Sequence, residues 1–312
     1  MLACAALLVA CGGSSGSSGG SGGSGIPGGS GDPNSGESTT SGPAYSVPGS
    51  VSLVAFNEGA AQTGNECAID TSQLAQGVVG ASARNDARLK FQVVKGEMSY
   101  NYDLPGDGTP IIVPINMGDG PYTFRVMQNT SANSYVELFS VIENVNLSSE
   151  TAPFLVPNMF VNYNESSAVV AKARELAQGA ANQGDVVRNI YQWVVDNITY
   201  DHDKAAQLAS ATGYVPDPDA TLASGTGICF DYASLGAAML RSLGIPCQVI
   251  TGYVSPDDVY HAWNMVYIDG EWISVEISIK PNSWTRVDLT FAASGAASTI
   301  GDGTSYTDRY TY

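Results

Sequence analysis

Two side chains dominate the chemistry this sequence could perform. Cys229 opens a helical pattern: Cys229, Ala233, Gly236, Ala237 and Leu240 fall on one face, Arg241 lies near the C-terminal end, and Gly244 followed by Ile245-Pro246 stops the run. A thiol is a useful nucleophile only as its thiolate, and a helix N-terminus favours that form. Alone, such a cysteine would read as a small buried hydrophobe. What changes the reading is a base, and the chain has only 2 His. His202 sits among polar neighbours in Tyr200-Asp201-His202-Asp203, which reads as a solvated loop. His261 opens a strand between Tyr260 and Ala262-Trp263, and a strand packed on the Cys229 helix could present its ring to the sulfur.

The elements that must hold these residues change character along the chain. From about residue 45 to 147 the segments 51–56, 88–94, 98–102, 121–127 and 135–142 are rich in β-branched and aromatic residues, with turn signals Gly106-Asp107-Gly108 and Gly118-Asp119-Gly120 between them. This reads as a β-sandwich-like domain over residues 45–150, and its acidic loops read as ordinary turns rather than calcium ligands. Past Pro157 the period becomes helical: Val169, Ala173 and Leu176 within 167–178, then a second helix that Asp185 can cap, with Val187, Ile190, Tyr191, Val194 and Ile198 as its stripe. Residues 205–226 read as a long polar connection bordering the site. After the Cys229 helix, 248–254, 261–268, 271–277 and 284–291 read as strands, with Asp269-Gly270 as a hairpin turn. The expected class is therefore α+β, with helices and an antiparallel sheet over residues 151–312.

Composition narrows the partners. A chain of 312 residues with 44% hydrophobic side chains can bury a sizeable core. Its formal net charge of −17 repels nucleic-acid phosphates and anionic lipid headgroups, so nucleic acid is not expected as a partner. No later stretch approaches the roughly 20 apolar residues that cross a bilayer. The start differs: Met1 to Ala10 is short and apolar, and Leu8-Val9-Ala10-Cys11 resembles a bacterial lipobox, although no positive segment precedes it. Residues 1–11 are thus expected to be a lipoprotein signal, Cys11 to carry lipid, and the Gly/Ser-rich stretch 12–44 to act as a flexible linker. That places the protein outside the cytoplasm, anchored to the bacterial membrane surface. Setting Cys4 and Cys11 aside leaves Cys67, Cys229 and Cys247, an odd number for an oxidising compartment. A bridge between Cys67 and Cys247 would leave Cys229 unpaired.

The run from Gly225 through Cys229 to Tyr253, with Leu240-Arg241-Ser242-Leu243-Gly244-Ile245-Pro246 inside it, is followed by His261-Ala262-Trp263. In this order of helix, turn and strand the sequence resembles the transglutaminase-like superfamily over roughly residues 155–312. Cys247 stands where that family usually has a small residue such as Ala. The resemblance implies a papain-like α+β core and a Cys-His-Asp triad built on Cys229 and His261. For the acid, the family has a Trp followed about four residues on by Asp. Trp272 with Glu276 fits the ungapped spacing, with Glu in place of Asp. Trp284-Thr285-Arg286-Val287-Asp288-Leu289-Thr290-Phe291 matches the family's ending more fully, with Leu289 replacing Pro. Asp288 is preferred, although a hairpin at Asp269-Gly270 would put Glu276 on the face of His261.

In such a site the thiolate attacks a carboxamide or peptide carbonyl, His261 protonates the departing amine, and a thioester forms. The backbone N–H of Cys229 would hold the oxyanion with one further donor, for which Tyr200 is a candidate. Attack by an amine then gives transfer, and attack by water gives hydrolysis. A protein or peptide substrate and a monomeric enzyme are expected, and no cofactor is implied, since neither zinc-ligand spacing nor a phosphate-binding glycine loop occurs. Two other classes compete: an adhesion or binding lipoprotein with an inert domain of this fold, and a structural surface component that uses it as scaffold.

Overall fold

The computed structural model describes residues 39–256, 258–273, 278–294 and 305–312. Strict alternation shapes its N-terminal half. Leu89, Phe91 and Val93 are buried while Lys90 and Gln92 between them are half-exposed, as one face of a sheet requires. The strands are β1 (Thr39–Ser41), β2 (Gln62–Gly64), β3 (Cys67–Asp70), β4 (Val78–Ala83), β5 (Leu89–Lys95), β6 (Met98–Leu104), β7 (Ile111–Pro114), β8 (Gly120–Ser131) and β9 (Ser134–Val145). Two antiparallel four-stranded sheets result, in the orders β2-β3-β4-β7 and β6-β5-β8-β9. The segment expected as a strand at 51–56 is irregular. Side chains satisfy its backbone instead of a ladder: Val51 N donates to Glu165 Oε2 at 3.0 Å and Asn57 N to Asp70 Oδ2 at 2.8 Å. In the Gly-Asp-Gly loops, the Asp107 carboxylate accepts from Thr109 N two residues on, as a turn residue does, and the Asp119 carboxylate accepts from Leu147 N, just past the end of β9.

The second half continues with α1 (Ala168–Leu176), α2 (Gln183–Asn197), β10 (Thr199–Tyr200), α3 (His202–Leu208), α4 (Pro218–Ser224), β11 (Thr226–Gly227) and α5 (Cys229–Ser242). It then runs through β12 (Cys247–Val254), β13 (Val259–Tyr267), β14 (Glu271–Ile273), β15 (Ser278–Ile279), β16 (Trp284–Val287), α6 (Leu289–Ala293) and β17 (Tyr306–Thr311). The cap of α2 is Asn182 rather than Asp185: the Asn182 side chain accepts from Asp185 N at 3.0 Å, and the Asp185 carboxylate turns to Thr40 and Ala181. The stretch 205–226 is not a plain loop. Asp217 caps α4 with Pro218 at its first position, and α3 begins at His202 under an Asp201 cap, so His202 belongs to a helix.

The sheet that carries His261 has the order β16-β13-β12-β17, all antiparallel. The Asp269-Gly270 hairpin does not form. The edge of β13 is taken by β16, and β14 pairs instead with β15 and with β1, through Thr40 opposite Trp272. Long-range pairing thus overrides the local turn signal, and residues 39–41, expected within the linker, are a strand. Glu276 lies outside the described residues.

One apolar cluster runs through both halves, with an aromatic seam where they meet: Tyr312 lies 4.6 Å from Phe160 and 6.1 Å from Tyr100, between ring centroids. Arg241 is buried beside it, and its guanidinium donates to the carbonyls of Cys247, Val156 and Tyr312 at 2.8–3.0 Å. It ties α5 to the β12 start, to residue 156 and to the chain's last residue. Replacement by Met would remove the guanidinium's bonds to three buried carbonyls, of which, among the described residues, only that of Tyr312 keeps a second donor, Val249 N, so Arg241→Met should lose about 3–5 kcal/mol in urea unfolding. A loss under about 1 kcal/mol would contradict this role.

Candidate active site

Helix α5 passes through the centre of the fold because its residues are small. Ala233, Ser234, Gly236, Ala237 and Ala238 are all buried, and a Cβ on Gly236 would stand 2.6 Å from Leu289 Cδ1. At its N-terminus Ile228 is extended and Cys229 is the first helical residue. Asp231, fully buried, holds this end: its carboxylate accepts from Ile228 N at 2.8 Å, from Lys204 Nζ at 2.7 Å and from the Tyr214 hydroxyl. The N–H groups of Cys229 and Phe230 take no backbone acceptor among the described residues, as the first turn of a helix leaves them.

His261 comes from β13, opposite Gly252 on β12. A side chain at Gly252 would strike Thr307 O at 2.0 Å, so glycine lets β17 close over this pair. The imidazole is buried, stacked 4.5 Å from the ring of Phe291, and its Nε2 lies 2.7 Å from Asp288 Oδ2. With Nε2 engaged, Nδ1 is the nitrogen left for the Cys229 thiol, which lines the same cavity and favours the charged ring. The ladder of β13 with β16 ends at Asn264 opposite Val287, and the chain then turns into α6. Asp288 caps that helix through Oδ1, which accepts from Phe291 N at 3.0 Å, while Oδ2 also accepts from Tyr306 OH at 2.9 Å. Its carboxylate is thus fixed from three sides. The segment expected as a strand at 284–291 stops at Val287 because of this cap.

Burial opposes a charged imidazole, but the Asp288 charge and hydrogen bond, with the effect of Cys229, outweigh it and push the His261 pKa up to about 10. The folded value lies above the roughly 6.5 of an unfolded His, so the stabilisation is complete below about pH 6.5 and is lost as pH rises through about 10. The melting-temperature gap between wild type and His261→Ala should accordingly narrow over that range. A gap independent of pH would contradict the charged pair. The other two described thiols are buried, free and oppositely placed in chemistry. Burial pushes Cys247 up to about 12, and burial with the Glu66 charge raises Cys67. The bridge considered between Cys67 and Cys247 is absent.

Cys229 and His261 face a cavity of about 910 Å³. Its walls come from β5 and β6 of the N-terminal half, from residues 208–215, and from the aromatic seam. The structure therefore brings Cys229, His261 and Asp288 together. Tyr200 is placed elsewhere: it pairs with Gly227 in the short β10–β11 ladder, its ring sits 5.0 Å from that of His202, and it is not part of the cavity wall. Tyr306, which orients Asp288, had no sequence signal, because β17 carries too few apolar residues to read as a strand.

Residues 170–277 match the family profile described as the transglutaminase-like superfamily. This segment, about a third of the chain, is similar to that superfamily, and the mixed α+β architecture with antiparallel sheets agrees with the match. Among curated proteins it is similar to cytokinesis protein 3 of Schizosaccharomyces pombe, 33% identical over 34% of this chain and 12% of that protein. It is also similar to the kyphoscoliosis peptidase of Mus musculus, 31% identical over 33% of this chain and 16% of the peptidase. The chain thus spans well under two thirds of these relatives. A solved structure of a Cytophaga hutchinsonii protein, described as a cysteine-protease candidate, superposes over 75% of this chain and 79% of its own, with 17% identity and a TM-score of 0.39.

Proposed function

We propose that this protein is a thiol-dependent acyl-transfer enzyme acting on glutamine carboxamides or peptide bonds of protein or peptide substrates, with Cys229, His261 and Asp288 as its triad. The observation that carries the reading is His261, held by Asp288 on one nitrogen with the other left for the Cys229 thiol, at the wall of an open cavity. With the thiol proton already held on Nδ1 of the charged His261 ring, the thiolate Sγ of Cys229 bonds to the substrate carbonyl carbon. The oxyanion meets the unpaired N–H groups at the start of α5. Collapse breaks the C–N bond, His261 returns its proton to the leaving amine or ammonia, and a thioester remains. An incoming amine or water then gives its proton to His261 and displaces Cys229 as thiolate. Asp288 holds the ring in the productive tautomer and stabilises the imidazolium. Lipidation at Cys11, with the stretch following it as tether, would present the enzyme at the outer face of a bacterial membrane.

Incubating the protein with a glutamine-containing peptide and a fluorescent primary amine tests this by mass spectrometry. Amine incorporation, deamidation or cleavage that disappears in Cys229→Ala is the expected result. Absence of all three, or persistence in Cys229→Ala, would overturn it.

A further inference from the structure

The cavity wall contains an open sheet edge that the chemistry above does not use. Six consecutive residues, Tyr100 to Pro105, line the cavity that holds Cys229 and His261. Alternate residues of a strand point to opposite faces, so a cavity touched by all of them runs along the strand's edge. β6 is the outermost strand of its sheet, with β5 on one side only. The β5–β6 hairpin has a two-residue loop closed by Lys95 opposite Met98, with Gly96 at φ 58 as a tight hairpin turn of this kind requires. Its closing pair is hydrogen-bonded, and pairs alternate from there. Residues 98, 100, 102 and 104 therefore turn their backbone groups towards β5, while Ser99, Asn101 and Asp103 turn theirs outward. Among the described residues, those outward groups take no hydrogen bond from another strand or loop.

We infer that the substrate is an extended polypeptide segment that adds as a strand to the edge of β6 at Asn101 and Asp103, delivering its carboxamide or peptide carbonyl to Cys229. Main-chain pairing of this kind supplies affinity with little demand on sequence, and side-chain selection falls to the neighbouring walls. A volume of about 910 Å³ is near the top of the ~300–1,000 Å³ range of ligand pockets and leaves room for several residues. A folded, fully paired target would be excluded. The inference rests on Cys229 being the nucleophile proposed above.

The test compares two alkylating probes on the full chain, read at Cys229 by mass spectrometry: iodoacetamide, and an alanyl tetrapeptide chloromethyl ketone. In the latter the sulfur displaces chloride as the C–S bond forms. Wild type should prefer the peptide probe. N-methylating one alternate set of the probe's amides should cut its rate about fivefold per lost bond, and the other set should matter less. In Asn101→Pro, which removes an outward N–H without touching the β5 ladder, the ratio of peptide to iodoacetamide rates should fall similarly. Equal sensitivity to both methylated sets, or an unaltered ratio in Asn101→Pro, would overturn edge pairing while leaving the nucleophile intact. Failure of iodoacetamide itself to favour Cys229 over Cys67 and Cys247 would instead remove the nucleophile, and this inference with it.

Discussion

Asp288→Asn should lower turnover of a glutamine peptide roughly 10⁴-fold, the size of the same acid-to-amide change in a Ser-His-Asp triad, while the protein stays folded. The separation of the two effects follows from the two jobs of this side chain. Asn caps a helix about as well as Asp, so the bond from Phe291 N at the start of α6 survives. Towards His261 the amide offers either a donor that repels the imidazolium or an oxygen without charge, and the bond to Nε2 no longer stabilises the protonated ring. Asp288→Ala should lose the cap as well and cost about 1 kcal/mol more in stability. Glu276→Gln, the competing acid from sequence, should leave turnover near wild type. The reverse ranking of Asp288→Asn and Glu276→Gln would move the triad acid to Glu276.

His261→Ala should cost about 10²–10⁴ in kcat/KM, the usual worth of a positioned general acid–base. The same ring serves both proton transfers, so acylation and thioester breakdown should slow together. Removing only the stacking partner, in Phe291→Leu, keeps both ring nitrogens in place and should cost far less. Equal losses in the two variants would mean that His261 acts as packing rather than as a base.

What the sequence revealed of this site, and what it hid, has a local cause. Cys229 was legible because helix start, small-residue stripe and Gly-Ile-Pro stop all lie within one element. The place of Asp288 was legible only through a family pattern, since the contact with His261 spans 27 residues and the three strands β14 to β16. The Asp269-Gly270 hairpin failed because a turn signal says nothing about a distant strand competing for the same edge, and β16 took it. α4 could have been read from Asp217-Pro218, a cap followed by a first-turn proline. The short strands β2, β3, β4 and β7 carry small residues or few positions, so their alternation is weak; Gly80 and Ala81 in β4 are examples. The union of the halves over the cavity depends on ring contacts such as Tyr312 with Tyr100 and Tyr102, which no linear pattern announces.

The central claim is that His261 activates Cys229 as a nucleophile. Brief alkylation with iodoacetamide near neutral pH, read by mass spectrometry, tests it with two internal controls, since burial holds the thiols of Cys67 and Cys247 in the protonated form. Cys229 should be labelled first and selectively in wild type, and much more slowly in His261→Ala. Labelling of Cys229 that is no faster than that of a small free thiol, or that is indifferent to His261, would contradict the account.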